Sequence, residues 1–381
     1  MSDKCPVSDW ATDFDIIDED YNRDPAPVWK DLRERCPIAH TERYGGMWMA
    51  TTYDDCQALV KMTDEISNRQ VSIYPVPGDD LLAEHHKHTM LPITLDPPEH
   101  TPMRRVILPF FNSRAVEKYR EHTEQLCNEM IDKFIDKGEC DAAIDYAQQI
   151  PARVIMNLMG LDMSRVDEFV ANVAAYVSEG FDDLDRRVEG RRNIQNMFAE
   201  LLPERRKNLG DDYVSTLLKA EVEGRPLTDL EIINMCFLLL VAGVDTTWSS
   251  IGSALLHFAS TPKDRKAVVE NPDLFPTAIE ELLRFHAPVA MGRIATTDVE
   301  YGGVTFKRGE RLMLNFPSAN RDPEMFEDPE EVKIDRKVNR HITFGIGHHR
   351  CAGSNLARME MDVALRTWFR RIPEFELTDP D

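Results

Sequence analysis

Apolar residues recur at helical spacing along most of this chain. From Ser113 to Lys137 they fall at Val116, Tyr119, Leu126, Met130, Phe134 and Ile135, which predicts one long helix. The same period predicts helices over Tyr146–Met159, Val166–Val177 and Arg187–Leu201. Thr228-Asp229-Leu230-Glu231 is a capping box, and no proline follows it before Pro262. The helix it opens should run about 30 residues, on the order of 45 Å at 1.5 Å per residue, enough to cross a whole domain. Further helices are expected from Pro276 to Phe285 and from Ala352 to Arg370. Strand patterns are fewer. Ile38–Arg43 and Met47–Thr51 flank Tyr44-Gly45-Gly46 and predict a hairpin. Arg293–Thr297, Glu300–Phe306 and Arg311–Asn315 predict a second small β region. The stretch from Asn68 to Pro98 reads as a long loop, a kind that tends to be functional in compact domains. No repeat, low-complexity tract or linker divides the sequence. The expectation is one domain over residues 1–381, mainly α with small β-sheets.

Composition narrows the class. The chain has 381 residues, 42% of them hydrophobic, enough for a sizeable core. Its 67 acidic and 45 basic residues give a net charge of -22, which argues against a nucleic-acid partner and for a soluble protein. The seven cysteines, at 5, 36, 56, 127, 140, 236 and 351, are odd in number and form no Cys-x-x-Cys pair. Neither a disulfide framework nor a zinc site is suggested, and a reducing cytoplasm fits. No apolar segment precedes the acidic stretch from Asp13 to Asp20, so no signal peptide or anchor is expected. The longest apolar run, Met235 to Val244, is too short to span a bilayer.

Several local features break the ordinary rules of their elements. Gly243 sits inside a helix, where glycine costs about 1 kcal/mol relative to alanine. Asp245 follows a ten-residue apolar run, so its carboxylate is expected to be largely buried, which is expensive without a role. Cys351 ends a glycine-punctuated loop just before a helix, where first-turn amides favour the thiolate. Glu281 and Arg284, three apart, face the same side of one helix. His85, His86 and His88 lack companion ligands and are not assigned to a metal. Gly345-x-Gly347 lies in no strand–glycine–helix unit and is not a dinucleotide fingerprint.

Four ordered segments together carry a resemblance. They are Asp96-Pro97-Pro98-Glu99-His100 with Arg104, Ala242-Gly243-Val244-Asp245-Thr246-Thr247, Glu281-Leu282-Leu283-Arg284, and Phe344-Gly345-Ile346-Gly347-His348-His349-Arg350-Cys351-Ala352-Gly353. In order and spacing the chain resembles the cytochrome P450 superfamily, specifically its soluble bacterial branch, over nearly its whole length. The resemblance implies that fold, with haem b (iron protoporphyrin IX) held between the long helix and the Cys351 loop. It makes Cys351 the iron ligand, with Phe344, Gly345 and Gly353 shaping the loop around it. It places His100, Arg104, Arg293 and His349 on the haem carboxylates, where buried charge must be paired. It assigns Ala242 and Gly243 to a helix groove that admits dioxygen. Thr246 is then a hydrogen-bonding group and Asp245 a proton relay. Glu281 and Arg284 become a structural pair closed by a residue near Asn320–Arg321.

The implied activity is a haem-thiolate monooxygenase. It hydroxylates, demethylates or epoxidises a mid-sized hydrophobic molecule, such as a terpenoid, fatty acid or substituted aromatic. By the same resemblance Leu238, Val241, Val289 and Met291 line the substrate pocket, with Ile73, Tyr74 and Val76 capping it. No flavin or nicotinamide site is apparent, so electrons are expected from a separate ferredoxin with its reductase. Arg105, Arg350 and Arg358 are candidate docking charges for that acidic partner. Two other readings stay open on the same fold: a peroxide-driven peroxygenase and a non-catalytic haem-binding sensor. The sequence departs from the family pattern at one place. It stops at Asp381, soon after Phe375, where the pattern continues through a final β-hairpin.

Overall fold

A computed structural model describes residues 6–73, 82–83, 89–177 and 183–378. Helices dominate, and seven of them position the site: α1 (His100–Ile107), α2 (Gln149–Met159), α3 (Val166–Val177), α4 (Leu184–Lys207), α5 (Asp229–Ser260), α6 (Phe275–Phe285) and α7 (Ser354–Arg371). Thr228 and Glu231 form the reciprocal capping box that starts α5. The helix runs 32 residues and stops just before Pro262. It passes the length and hydropathy test for a membrane span, yet most of the relevant window is buried inside the protein. Its apolar residues, among them Phe237, Leu240, Val244 and Ile251, join the main core with α2, α3 and α7.

Two helical expectations are revised. The segment expected to be one helix from Ser113 to Lys137 is broken into Ser113–Glu117, Arg120–Asp132 and a short 3-10 turn at Ile135–Lys137. The apolar period continues across both breaks, so the pattern carries no sign of them. The helix expected from Tyr146 begins earlier, as a π-helical turn at Ala142–Ala147, before α2. Gly160, in the left-handed conformation, ends α2.

The β structure is also regrouped. One sheet contains β1 (Ile38–Thr41), β2 (Met47–Ala50), β3 (Ile66–Ser67), β4 (Met291–Ala295) and β5 (Arg311–Leu314), in the order β1-β2-β5-β4-β3. β1 and β2 form the expected hairpin, with Ile38 opposite Ala50. β2 then runs parallel to β5, with Met47 opposite Arg311. Strands from both predicted β regions therefore share one sheet, apart from residues 299–306, which form a separate two-stranded sheet. The expected strand Glu300–Phe306 is instead a hairpin, because Gly302 and Gly303 take positive φ between Val299–Tyr301 and Val304–Phe306.

Candidate active site

α5 supplies one wall. Leu238, Ala242, Asp245, Thr246 and Ser249 are more open than the buried residues around them. Their spacing of 4, 3, 1 and 3 puts them on one face of the helix. Thr246 donates its hydroxyl to the Ala242 carbonyl at 3.0 Å, the back-bonded arrangement of a mid-helix threonine. Asp245 makes no hydrogen bond among the described residues, and burial alone raises its pKa to about 6. It is half-buried rather than largely buried. Gly243 has a packing reason of its own: a Cβ there would come within 2.7 Å of Ile155 Cδ1 on α2. Val241 was expected to line the pocket, but it sits at the margin of the open face and is buried in the main core.

The second wall is the loop before α7. Gly345 and Gly347 hold φ of 63° and 70°, values that favour glycine. Their turns bring the Cys351 amide to the Phe344 carbonyl at 2.7 Å. Cys351 lies three residues ahead of Ser354, the first residue of α7, so it sits in the loop and not in the helix's first turn, and the residue is exposed. Neighbouring protein atoms still desolvate the thiol and raise its pKa, while the Gly353 amide and Arg104, Arg350 and Arg358 pull it down. In the free chain desolvation prevails, a correction to the helix-terminus argument. A bound metal reverses that balance, because it deprotonates a coordinating thiol outright.

Two histidines and two arginines approach this loop. His100 and His349 place their rings 4.2 Å apart. Both ring nitrogens of His100 and Nδ1 of His349 are buried without a hydrogen-bond partner. Burial lowers the His100 pKa to about 4 and that of His349 to about 2, and Arg104 pushes both the same way. Arg293, on β4, is buried and among the described residues donates only to the adjacent Gly292 carbonyl. Burial lowers its pKa to about 10, and Asp96 offsets this only in part. Asp96 is itself engaged by the Ser67 hydroxyl and the Asn68 amide. Arg104 donates to the Arg350 carbonyl. Four cationic or protonatable groups without a carboxylate on them, beside a soft cysteine ligand, fit an iron porphyrin that carries its own carboxylates.

Around Glu281 and Arg284 the charged groups are matched. Glu281 and Arg284 are both fully buried and join through two hydrogen bonds of 2.9 and 2.8 Å. Arg284 also donates to the carbonyls of Asn320, Pro329 and Glu331. The Glu281 carboxylate further accepts from the Lys333 amide, Arg336 and Asn339. Sequence reasoning placed the closing partner near Asn320–Arg321 and missed 329–339, a stretch without regular structure. It also missed Glu280, which binds Arg358 at 2.6 and 2.8 Å and lies 3.0 Å from His341 Nε2. Arg358 stands 4.4 Å from the Phe344 ring centre and so braces the cysteine loop. It is therefore not a free docking charge, whereas Arg105 and Arg350 are exposed.

The remaining pocket candidates divide. Leu238 lies on the open face of α5. Val289 and Met291 are half-buried at the entry to β4, where Met291 packs on the sheet cluster. Ile73 and Ala290 both pack against the core cluster that contains Met47, Met49 and Met313. Tyr74, Val76 and the three histidines at 85, 86 and 88 lie outside the described residues. Among the described residues no group of three or more metal-ligating side chains gathers.

Comparison with known proteins gives a consistent result. The family model for cytochrome P450 matches residues 155–379. The polyketide biosynthesis cytochrome P450 PksS of Bacillus subtilis is 34% identical over 376 residues, covering 94% of this chain and 91% of the relative. Mycinamicin IV hydroxylase/epoxidase of Micromonospora griseorubida is 30% identical over 358 residues, covering 92% and 89%. The solved structure of PksS superposes with a TM-score of 0.85 at 33% identity, covering 95% of this chain and 92% of that one. P450BioI, solved with an acyl carrier protein bearing hexadec-9Z-enoic acid, superposes with a TM-score of 0.85 at 28% identity, covering 94% of each.

Proposed function

We infer function from family, for this chain belongs to the cytochrome P450 family, the haem-dependent monooxygenases. It is an oxidoreductase that uses haem, dioxygen and an organic substrate. The finer proposal is a single haem domain, working in the cytoplasm. It carries haem b on Cys351, takes electrons from a ferredoxin and its reductase, and hydroxylates, demethylates or epoxidises a hydrophobic small molecule. Relatives named for polyketide biosynthesis and for hydroxylation or epoxidation of mycinamicin IV support that substrate class. Exposed Arg105 and Arg350 near the cysteine side suit an acidic electron donor.

The observation that carries this reading is the meeting of His100, His349 and Arg293 without carboxylate partners beside the Cys351 loop. Bound haem supplies the oxygen chemistry. The chain's own residues hold it and manage protons. His100, Arg104, Arg293 and His349 bind its carboxylates, and the Gly353 amide tempers the charge on the Cys351 sulfur. Asp245, with a pKa near 6, changes protonation easily at neutral pH and passes protons along the open face of α5. The Thr246 hydroxyl, one residue on, can turn from the Ala242 carbonyl to donate toward a polar atom lying over that face.

A difference spectrum of the reduced, carbon-monoxide-bound protein tests the assignment. A thiolate ligand places the Soret band well to the red of a histidine ligand. Cys351→His should move it to the histidine position and abolish monooxygenase turnover. An unmoved band removes Cys351 as the ligand.

A further inference from the structure

Arg187 and Arg191 lie four residues apart on one face of α4, turned toward the protein and half-buried. The Arg187 guanidinium stands 5.1 Å from the ring centre of Tyr176 on α3, and its Nη2 donates to Ser72 Oγ at 3.0 Å. Arg191 stands 5.0 Å from the ring centre of Phe237 on α5, and its Nη2 donates to the Thr89 carbonyl at 2.8 Å. Tyr176 and Phe237 themselves meet edge to face at 5.0 Å. The two cations thus sit on one aromatic patch, and only neutral acceptors touch them among the described residues.

Most other arginines of α4 differ. The net charge is -22, and other arginines of α4 have carboxylates: Arg186 has Glu189, Arg205 has Asp212 and Arg206 has Asp229. Three arginines of the helix have no carboxylate among the described residues; Arg192 is exposed, and the other two are the pair turned inward. Aromatic faces and single carbonyls hold a guanidinium in place but do not neutralise it. Each side chain commits one of its five N–H donors to these contacts, which leaves a fork suited to a carboxylate. Phe237 directly precedes Leu238, where the open face of α5 begins. From Phe237 to Thr246 is nine residues, on the order of 14 Å along the helix axis.

We propose that Arg187 and Arg191 bind the carboxylate of an otherwise apolar substrate. The preferred substrate is then an amphiphilic acid, with an apolar stretch of roughly 14 Å between its carboxylate and the carbon over Thr246. The proposal rests on the monooxygenase reading, because that reading makes the open face of α5 the substrate site. Tyr176 and Phe237 receive the first methylenes, and the two guanidinium groups set how deep the chain can enter.

Calorimetric titration of the haem-loaded protein with dodecanoate and with 1-dodecanol tests this. The two probes share a chain and differ in charge. The wild type should bind dodecanoate at least tenfold more tightly. In the Arg187→Gln/Arg191→Gln double variant that advantage should vanish, with dodecanol binding held within twofold. The carboxylate site is overturned if the wild type binds neither probe or binds both equally. It is also overturned if the variant keeps its acid preference, or weakens both probes together as a lost structural latch would. The carbon-monoxide spectrum of the same samples separates the two readings. A thiolate band without acid preference removes the carboxylate site alone. An acid preference without that band removes the monooxygenase reading and leaves an anion site.

Discussion

Two neighbouring regions treat buried charge in opposite ways. Around Glu281 and Arg284 each charged side chain is matched, by two other basic or amide side chains and by backbone groups of residues 320–333. Around His100, Arg293 and His349 the buried donors have almost nothing to bond to, and Asp245 on the facing helix is likewise unpaired. Unpaired buried polar groups are costly. A chain that saturates one site so fully and leaves the next one open has its missing partner outside its own sequence. The first region is therefore built as scaffold, and under the proposed function the second would receive haem and the protons of its reaction.

The difference should show most strongly when the scaffold is cut. Glu281→Ala strands Arg284 and Arg336 as buried cations, and breaking such a pair costs about 3–5 kcal/mol. That is a large share of the roughly 5–15 kcal/mol that holds a domain folded. Chemical denaturation should give a much lower midpoint, with little soluble protein recovered. A midpoint within about 1 kcal/mol of the parent would mean the network is not what holds this side together.

Asp245→Asn probes the open region by rate. A positioned proton-transfer group contributes on the order of 10²–10⁴-fold, so product formation should fall about a hundredfold while haem content and fold persist. The sign with pH follows from the raised pKa. Below about pH 6 the wild-type carboxyl is protonated, and above it the group is ionised and able to accept a proton. Substrate turnover in the wild type should therefore bend near that pH, and the bend should be missing in the variant. Identical pH profiles for the two proteins would remove Asp245 from the relay.

Arg293→Met should separate holding haem from holding the fold. Arg293 has no carboxylate partner, so its replacement by an apolar chain should leave the haem-free protein as stable or slightly more stable. Haem should leave faster by about 10–100-fold, the equivalent of one charge-assisted hydrogen bond of about 1.5–3 kcal/mol. Transfer to an excess of a haem-scavenging protein measures this. Equal losses of stability and haem retention would place Arg293 with the scaffold instead.

What the sequence made legible was local. Thr228 and Glu231 announce the start of α5 within four residues, and Gly345, Gly347 and Cys351 mark the loop within seven. What it hid depends on distant pairing. Met47 finds Arg311 across the sheet, and no alternation pattern within either strand names its partner. Glu281 finds Lys333, Arg336 and Asn339 in a stretch without helix or strand, so no period points to them. Val241 and Gly243 show a subtler limit. A motif places both near the groove, but rotation of about 100° per residue turns Val241 into the core and sets Gly243 against Ile155. Arg358 shows the converse: an arginine near the cysteine reads as a docking charge until Glu280 is seen beneath it.

A third carboxylate tests how far the contrast between matched and unmatched charge extends. Glu360, on α7, is buried, and neither of its oxygens has a partner. Unlike Glu281 it meets no cation, so burial raises its pKa well above the ordinary 4.5 and the group stays protonated in the folded protein. As pH rises past 4.5 the unfolded chain loses this proton and the folded chain keeps it. The folded state then binds more protons than the unfolded one, and stability falls with rising pH by up to about 1.4 kcal/mol per unit. Glu360→Gln is neutral at every pH and removes that slope. Stabilities from denaturation at pH 5 and pH 7 should therefore converge for the variant relative to the wild type, by about 2–3 kcal/mol. Parallel profiles would mean that Glu360 is ionised and matched after all, and that α7 belongs with the saturated scaffold.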